Sequence, residues 1–184
     1  MTSTGIPTGK IGVWWFLASE ITVFGGLIAS YIVVRLGSSG WSEASSHLNF
    51  SLALVNTFVL LTSSLTMVLA FAAVEEKQPR RVQANLLLTL LMGLAFLVIK
   101  GFEYAGEITH GFTPGAGIFW SFYYGMTGLH ALHVLGGVVV NLMLLIAALR
   151  ETLRPIEHRV ELAGLYWHFV DIVWIFLFPL LYLT

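Results

Sequence analysis

The chain has 184 residues, of which 57% are hydrophobic and only 10% charged, with a formal net charge of −1. No cluster of Lys and Arg exceeds three residues, so there is no electrostatic footprint for nucleic acid. Cysteine is absent, which removes disulfides, thiolate metal sites, iron–sulfur clusters and thiol nucleophiles together and leaves the redox compartment open.

Five apolar runs are long enough to cross a hydrocarbon core of roughly 30 Å at about 1.5 Å per helical residue. They lie near 11–34, 50–74, 86–104, 118–149 and 162–183. The expected fold is an all-α integral membrane protein, a five-transmembrane-helix bundle forming one domain over residues 1–184. Before the first run the only charge is Lys10, and the run exceeds a signal-peptide h-region, so it is expected to stay as an anchor.

Glu20 stands about nine residues into the first span, roughly 13 Å from its inner end. It reads either as a neutral acid donating one hydrogen bond to a neighbouring helix or as a carboxyl that exchanges protons or senses lipid headgroups. Gly25, Gly26, Ala29 and Ser30 follow on the same run, and Gly136 and Gly137 on the fourth; such small residues suit close helix approach. The Ser- and Gly-rich stretch 37–49 reads as a flexible connection. On the second run, Thr62, Ser63, Ser64 and Thr66 can each bond back to a carbonyl one turn earlier.

Lys100, Glu103 and Glu107 recur at helical spacing near the outer end of the third run. Lys100 is expected to pair with Glu103 and snorkel outward as an anchor. The fourth run is about ten residues longer than a vertical span needs, so it should tilt or project. It carries His130 and His133 three residues apart, which meets the placement condition for a bundle metal site. A metal needs three or four ligands, however, and without cysteine interhelical hydrogen bonding is the expected role of both. The fifth run holds His168 and Asp171 on one face. An Asp at that depth costs at least about 2.5 to 3.5 kcal/mol, and a cluster of Glu20, His168 and Asp171 is geometrically possible. Trp14, Trp15, Trp41, Trp120, Tyr123 and Tyr124 read as interface markers.

Basic residues alternate along the chain. Lys10, then Lys77, Arg80 and Arg81, then Arg150, Arg154 and Arg159 fall on one side, against Arg35 and Lys100 on the other. The positive-inside rule then places the N-terminus inside and the C-terminus outside. Arg150, Arg154, His158 and Arg159 form a short basic loop able to attract lipid phosphates, although topology alone explains it equally well. Of the six histidines, at 47, 110, 130, 133, 158 and 168, only three are intramembrane. Two bis-histidine haems would need four, so no metal or haem is expected on this chain.

Four segments on four spans carry a resemblance: Phe16-Leu17-Ala18-Ser19-Glu20; Asn56-Thr57 with Leu61-Thr62-Ser63-Ser64; Thr127-Gly128-Leu129-His130-Ala131-Leu132-His133-Val134; and Tyr166-Trp167-His168-Phe169-Val170-Asp171-Ile172-Val173-Trp174. The chain resembles subunit III of the haem-copper terminal oxidases, from about residue 10 to 183. The resemblance implies a non-catalytic bundle beside subunits I and II, whose haems and copper reduce oxygen to water while protons are pumped. It implies bound structural phospholipids, a bacterial inner (cytoplasmic) membrane and possible membership of a respiratory supercomplex. Glu20 would be the family's buried carboxyl and Arg150 a lipid-phosphate ligand, with His130, His133, Glu103 and Glu161 as further polar motif residues. Many members have seven helices; this chain is similar to the last five, as in short bacterial forms, which leaves one wall of the family's lipid cleft to another subunit or to bulk lipid. The electron donor, cytochrome c or quinol, stays open, and accessory chains of nitric oxide reductases share the pattern. From a different class, a small proton channel or transporter would use Glu20, His168 and Asp171 as a relay. The lack of a visible inverted repeat argues against a self-contained carrier.

Overall fold

The computed structural model describes residues 8–150 and 158–183, and these fold as six helices. They are α1 (Thr8–Leu36), α2 (Trp41–Ser46), α3 (Phe50–Glu75), α4 (Pro79–Thr109), α5 (Ile118–Leu149) and α6 (His158–Tyr182). Five of them, all but α2, are long and apolar enough to cross a membrane.

The sequence explains where these helices stop. Asn49 caps α3, its side chain accepting the Leu52 N–H at 3.0 Å. The chain leaves α3 with Lys77 left-handed at φ 56, while Gln78 N–H bonds Ala73 O at 2.9 Å and Lys77 N–H bonds Val74 O at 3.0 Å. That pair of bonds is a Schellman motif, and Pro79 then opens α4 where its missing N–H costs nothing. Helix α4 ends the same way: Gly111 sits at φ 87, and Phe112 N–H returns to Glu107 O at 3.0 Å.

Helices α3, α4, α5 and α6 form a ring in which each packs on its two sequence or chain-end neighbours, and α1 lies outside along α6 and α5. Lipid tails are as apolar as leucine, so close fit and hydrogen bonds hold such a ring together. Trp167 of α6 provides the fit at the centre. A Cβ added to Gly93 of α4 would lie 2.7 Å from its ring, and one added to Gly137 of α5 would lie 2.6 Å from two of its ring atoms. Its indole N–H also donates to Ser63 Oγ of α3 at 3.0 Å, so one side chain ties all four helices. About two turns further along, Trp174 donates to Thr57 Oγ1 at 3.0 Å and meets the ring of Phe96 edge-on at 5.0 Å.

Three expectations are corrected by this packing. The connection 37–49 is not simply flexible: it contains α2, whose Trp41 is buried against Tyr31, Phe119 and Phe122. Tyr31 beneath it donates to Leu180 O at 2.7 Å, locking α1 to α6. Gly25 and Gly26 face outward with nothing within 4 Å, so the small residues of α1 make no close approach within this chain, whereas Gly137 does. Among the aromatics, Trp14 and Trp15 are exposed as interface markers should be, but Trp41, Trp120 and Tyr123 are core residues.

Candidate functional site

Two groups of polar side chains inside the spans are brought together by the fold. The first joins α1 to α5. His133 Nε2 lies 3.0 Å from Glu20 Oε2, and its Nδ1 lies 2.8 Å from the carbonyl oxygen of Leu129 on its own helix. A carbonyl only accepts, so Nδ1 bears a hydrogen, and Nε2 and the carboxyl hold a single proton between them. Tyr166 of α6 closes the pair from below by donating to His133 O at 2.8 Å. Both side chains are largely covered, 16% exposed for Glu20 and 13% for His133. The arrangement can pass one proton between carboxyl and imidazole, or use it as a fixed interhelical tie.

The structure therefore gives Glu20 the partner His133 rather than His168 or Asp171. Those two face α3 instead: His168 Nδ1 bonds Ser64 Oγ, and Asp171, 5% exposed, lies beside Ser64 and His168 with Oδ1 unpartnered. Ser64 consequently serves another helix rather than only its own backbone, as does Thr66, which bonds Thr89 Oγ1 of α4 at 2.7 Å. The reason is positional: α6 presents His168 and Asp171 to α3, while α1 leans on the other side of α6, toward α5.

The second group is centred on Lys100. The residue is 2% exposed, and its ammonium donates to Glu103 Oε2 at 3.1 Å, Tyr182 Oη at 2.8 Å and Tyr123 Oη at 3.2 Å. Tyr123 donates in turn to Glu103 Oε1 at 2.8 Å, as does Tyr182. The rings of Tyr104, Tyr123, Trp174 and Tyr182 surround the cation at 5.0 to 5.5 Å. Lys100 does not snorkel: carboxylate, two hydroxyls and four π faces satisfy it inside the ring of helices, where it joins α4, α5 and α6. The sequence carried a signal for this, a lysine inside an apolar run with a carboxyl one turn on and tyrosines at the ends of two other spans.

His130 is fully buried and, contrary to expectation, makes no interhelical hydrogen bond: both ring nitrogens lack partners. Its ring packs on Trp174 at 5.1 Å and Phe96 at 5.5 Å. Among the described residues no three His, Asp or Glu side chains converge to hold a metal ion. Of the remaining motif residues, Glu161 meets Lys10 at 2.6 Å and pins the start of α1 to the start of α6. Arg150, His158 and Arg159 are exposed at that same end, and Arg154 lies outside the described residues.

These features define a class: a multi-pass membrane bundle in which the Glu20–His133 pair and the group around Lys100 tie its own helices together. The family follows from comparison with known proteins. The chain belongs to the cytochrome c oxidase subunit III family, whose model matches residues 3–184. It is similar to cytochrome c oxidase subunit 3 of Corynebacterium diphtheriae, 35% identical over 177 residues covering 94% of this chain and 86% of the relative. It is also similar to a probable quinol oxidase subunit 3 of Staphylococcus aureus, 32% identical over 176 residues, 95% of this chain and 88% of that one. A heme-copper oxidase subunit I+III of Aeropyrum pernix is 34% identical over 188 residues, covering 97% of this chain and 23% of the relative.

Proposed function

We propose that this chain is the non-catalytic subunit III of an aa3-type cytochrome c oxidase in a bacterial inner membrane. In this reading it lies with its N-terminus inside and its C-terminus outside, beside subunits I and II. It holds subunit I and its bound phospholipids in place, so that proton uptake keeps pace with the reduction of oxygen to water. The observation that carries the reading is the family match along residues 3–184. Three further findings support it. The relative named subunit I+III joins the two subunits in one polypeptide, which favours subunit I as the immediate neighbour. Lys10, Lys77, Arg80, Arg81, Arg150 and Arg159 gather at one end of the bundle, in keeping with that end facing inward. The rigid ring of helices offers an apolar exterior with exposed Val33, Phe58, Leu65 and Met143, suited to a neighbouring subunit or lipid.

In the same reading Glu20 and His133 are the proton-bearing pair at the flank, His168 and Asp171 a second polar group toward α3, and Arg150, Arg154, His158 and Arg159 ligands of lipid phosphate at the inner surface. Affinity purification through a tag on this chain tests the assignment. Haem-bearing subunit I should co-purify, and the preparation should oxidise reduced cytochrome c. Recovery of the chain without haem protein would reject the subunit reading, and activity with a quinol alone would move the complex to the class of its Staphylococcus relative.

A further inference from the structure

Phe96 of α4 and Trp174 of α6 meet inside the ring of helices, and each also touches polar residues of the two remaining helices. The carbonyl oxygen of Phe96 accepts from the Asn56 amide of α3 at 3.3 Å, and its ring lies 5.5 Å from that of His130 on α5. Trp174 donates to Thr57 of α3 and packs beside His130 at 5.1 Å. One layer therefore holds residues from all four helices, between the Trp167 wedge and the group around Lys100. Helices α3 and α5 are diagonal in it, each packing on α4 and α6.

That layer concentrates polar atoms without partners. Asn56 and His130 are both 0% exposed, and Asn56 Oδ1 with the two ring nitrogens of His130 makes up three of the five such buried side-chain atoms among the described residues. The Asn56 amide cannot be turned round, because Phe96 O only accepts and so fixes Nδ2 beside it. An imidazole always carries at least one N–H, so His130 has a donor to place where Asn56 has an acceptor to fill. The donors around them are committed elsewhere. The three hydrogens of the Lys100 ammonium go to Glu103, Tyr123 and Tyr182, the Trp174 N–H goes to Thr57, and the Thr57 hydroxyl goes back to Ala53 O. The planes of Trp174 and His130 are 30° apart, and imidazole hydrogen bonds run within the ring plane, so this packing leaves their direction open.

Covered polar atoms of native proteins are nearly always partnered, and where no protein group serves them the partner is a buried water held by several bonds. A water accepts from an imidazole N–H and donates to an amide oxygen at once, which none of the side chains of this layer does. A metal ion does not suit the set, since no three His, Asp or Glu side chains converge among the described residues. An apolar molecule would leave all three atoms alone. We propose that the centre of the ring is a hydration site, in which water bound to His130 also donates to Asn56 Oδ1 and braces α3 against α5 across the diagonal. The inference rests on the packing of this chain and not on the identity of its partner subunits.

A map of the purified complex in lipid nanodiscs, sharp enough to show ordered water, tests the site directly. Water density is expected within hydrogen-bond distance of both a His130 nitrogen and Asn56 Oδ1. A dry layer, or a direct bond from His130 to a protein oxygen in place of the water, would overturn the proposal. Variants of the same complex supply a second readout, the fraction of chain retained after stepwise heating. Asn56→Leu and His130→Leu each remove one holder of the shared water, so each is expected to lower the midpoint temperature, and the double variant to lose clearly less than the sum of the two. A midpoint raised by either single change would mean that the polar atoms are merely orphaned, and strictly additive losses would mean that they hold no common water; both results count against the site. Should a variant fail to assemble, the map of the unmodified complex decides alone.

Discussion

Replacing Gly137 by alanine places a methyl group where the fold leaves no room. The new Cβ would sit 2.6 Å from both Cε3 and Cζ3 of Trp167, about 0.8 Å inside the 3.4 Å lower limit of ordinary contact. The indole cannot simply back away, because a Cβ-sized gap is also missing on its far side: the Gly93 Cα lies so near that a methyl there would meet Trp167 Cη2 at 2.7 Å. Any shift also strains the bond from Trp167 to Ser63. Overpacking of this kind costs about 1 to 3 kcal/mol, and losing the interhelical hydrogen bond adds about 0.6 kcal/mol at the membrane average. A Gly137→Ala variant should therefore unfold or leave its complex at distinctly lower temperature, read by the fraction of chain retained after stepwise heating in detergent. Combining it with Trp167→Leu should recover part of the loss caused by overlap, so the two changes would be non-additive. If Gly137→Ala retained unmodified stability, or if the two losses simply summed, Trp167 would not be the wedge that sets the distance between α4 and α5.

Other substitutions probe the polar ties. Lys100→Met leaves Glu103 buried without its cation and is expected to cost about 3 to 5 kcal/mol, whereas Lys100→Met with Glu103→Leu should recover most of it; equal damage from the single and double variants in the same heating assay would reject the pairing. Glu20→Leu removes the polar tie between α1 and α5, worth about 1 to 2 kcal/mol, and should raise hydrogen exchange and protease cleavage along α1 while α3 to α6 keep their protection. Trp41→Ala empties the pocket under α2 at a cost of about 3 to 5 kcal/mol, and exchange should rise across residues 38–48; unchanged protection there would mean α2 is held by something other than its tryptophan.

How far the sequence could be read follows from which information is linear. The fourth apolar run coincides with α5 because its residues are apolar up to both ends. The third falls short of α4 by a turn or more at each end, since Arg80, Arg81 and Gln83 before its start and Glu107 beyond its close break the hydropathy although they are helical. Spacing within one helix correctly put His168 with Asp171 on one face and Lys100 with Glu103 one turn apart. It carries nothing about which helix lies opposite. Glu20 could therefore not be assigned to His133 rather than to His168 until α1 was seen to lie against α5 and α6. The same gap hid the burial of Lys100, whose tyrosine partners sit 23 and 82 residues further along the chain. Gly25 and Gly137 look alike in sequence, and only the position of Trp167 separates an open glycine from an obligatory one.

The central claim is that this chain supports a neighbour's oxygen chemistry without holding a redox centre. Stripping it from the purified complex and adding it back, while counting turnovers before inactivation and recording the optical haem spectrum, tests that claim most directly. The spectrum is expected to be unchanged, the number of turnovers to fall on removal and to return on reconstitution. Loss of the haem spectrum with this chain, or turnover indifferent to its presence, would contradict the account.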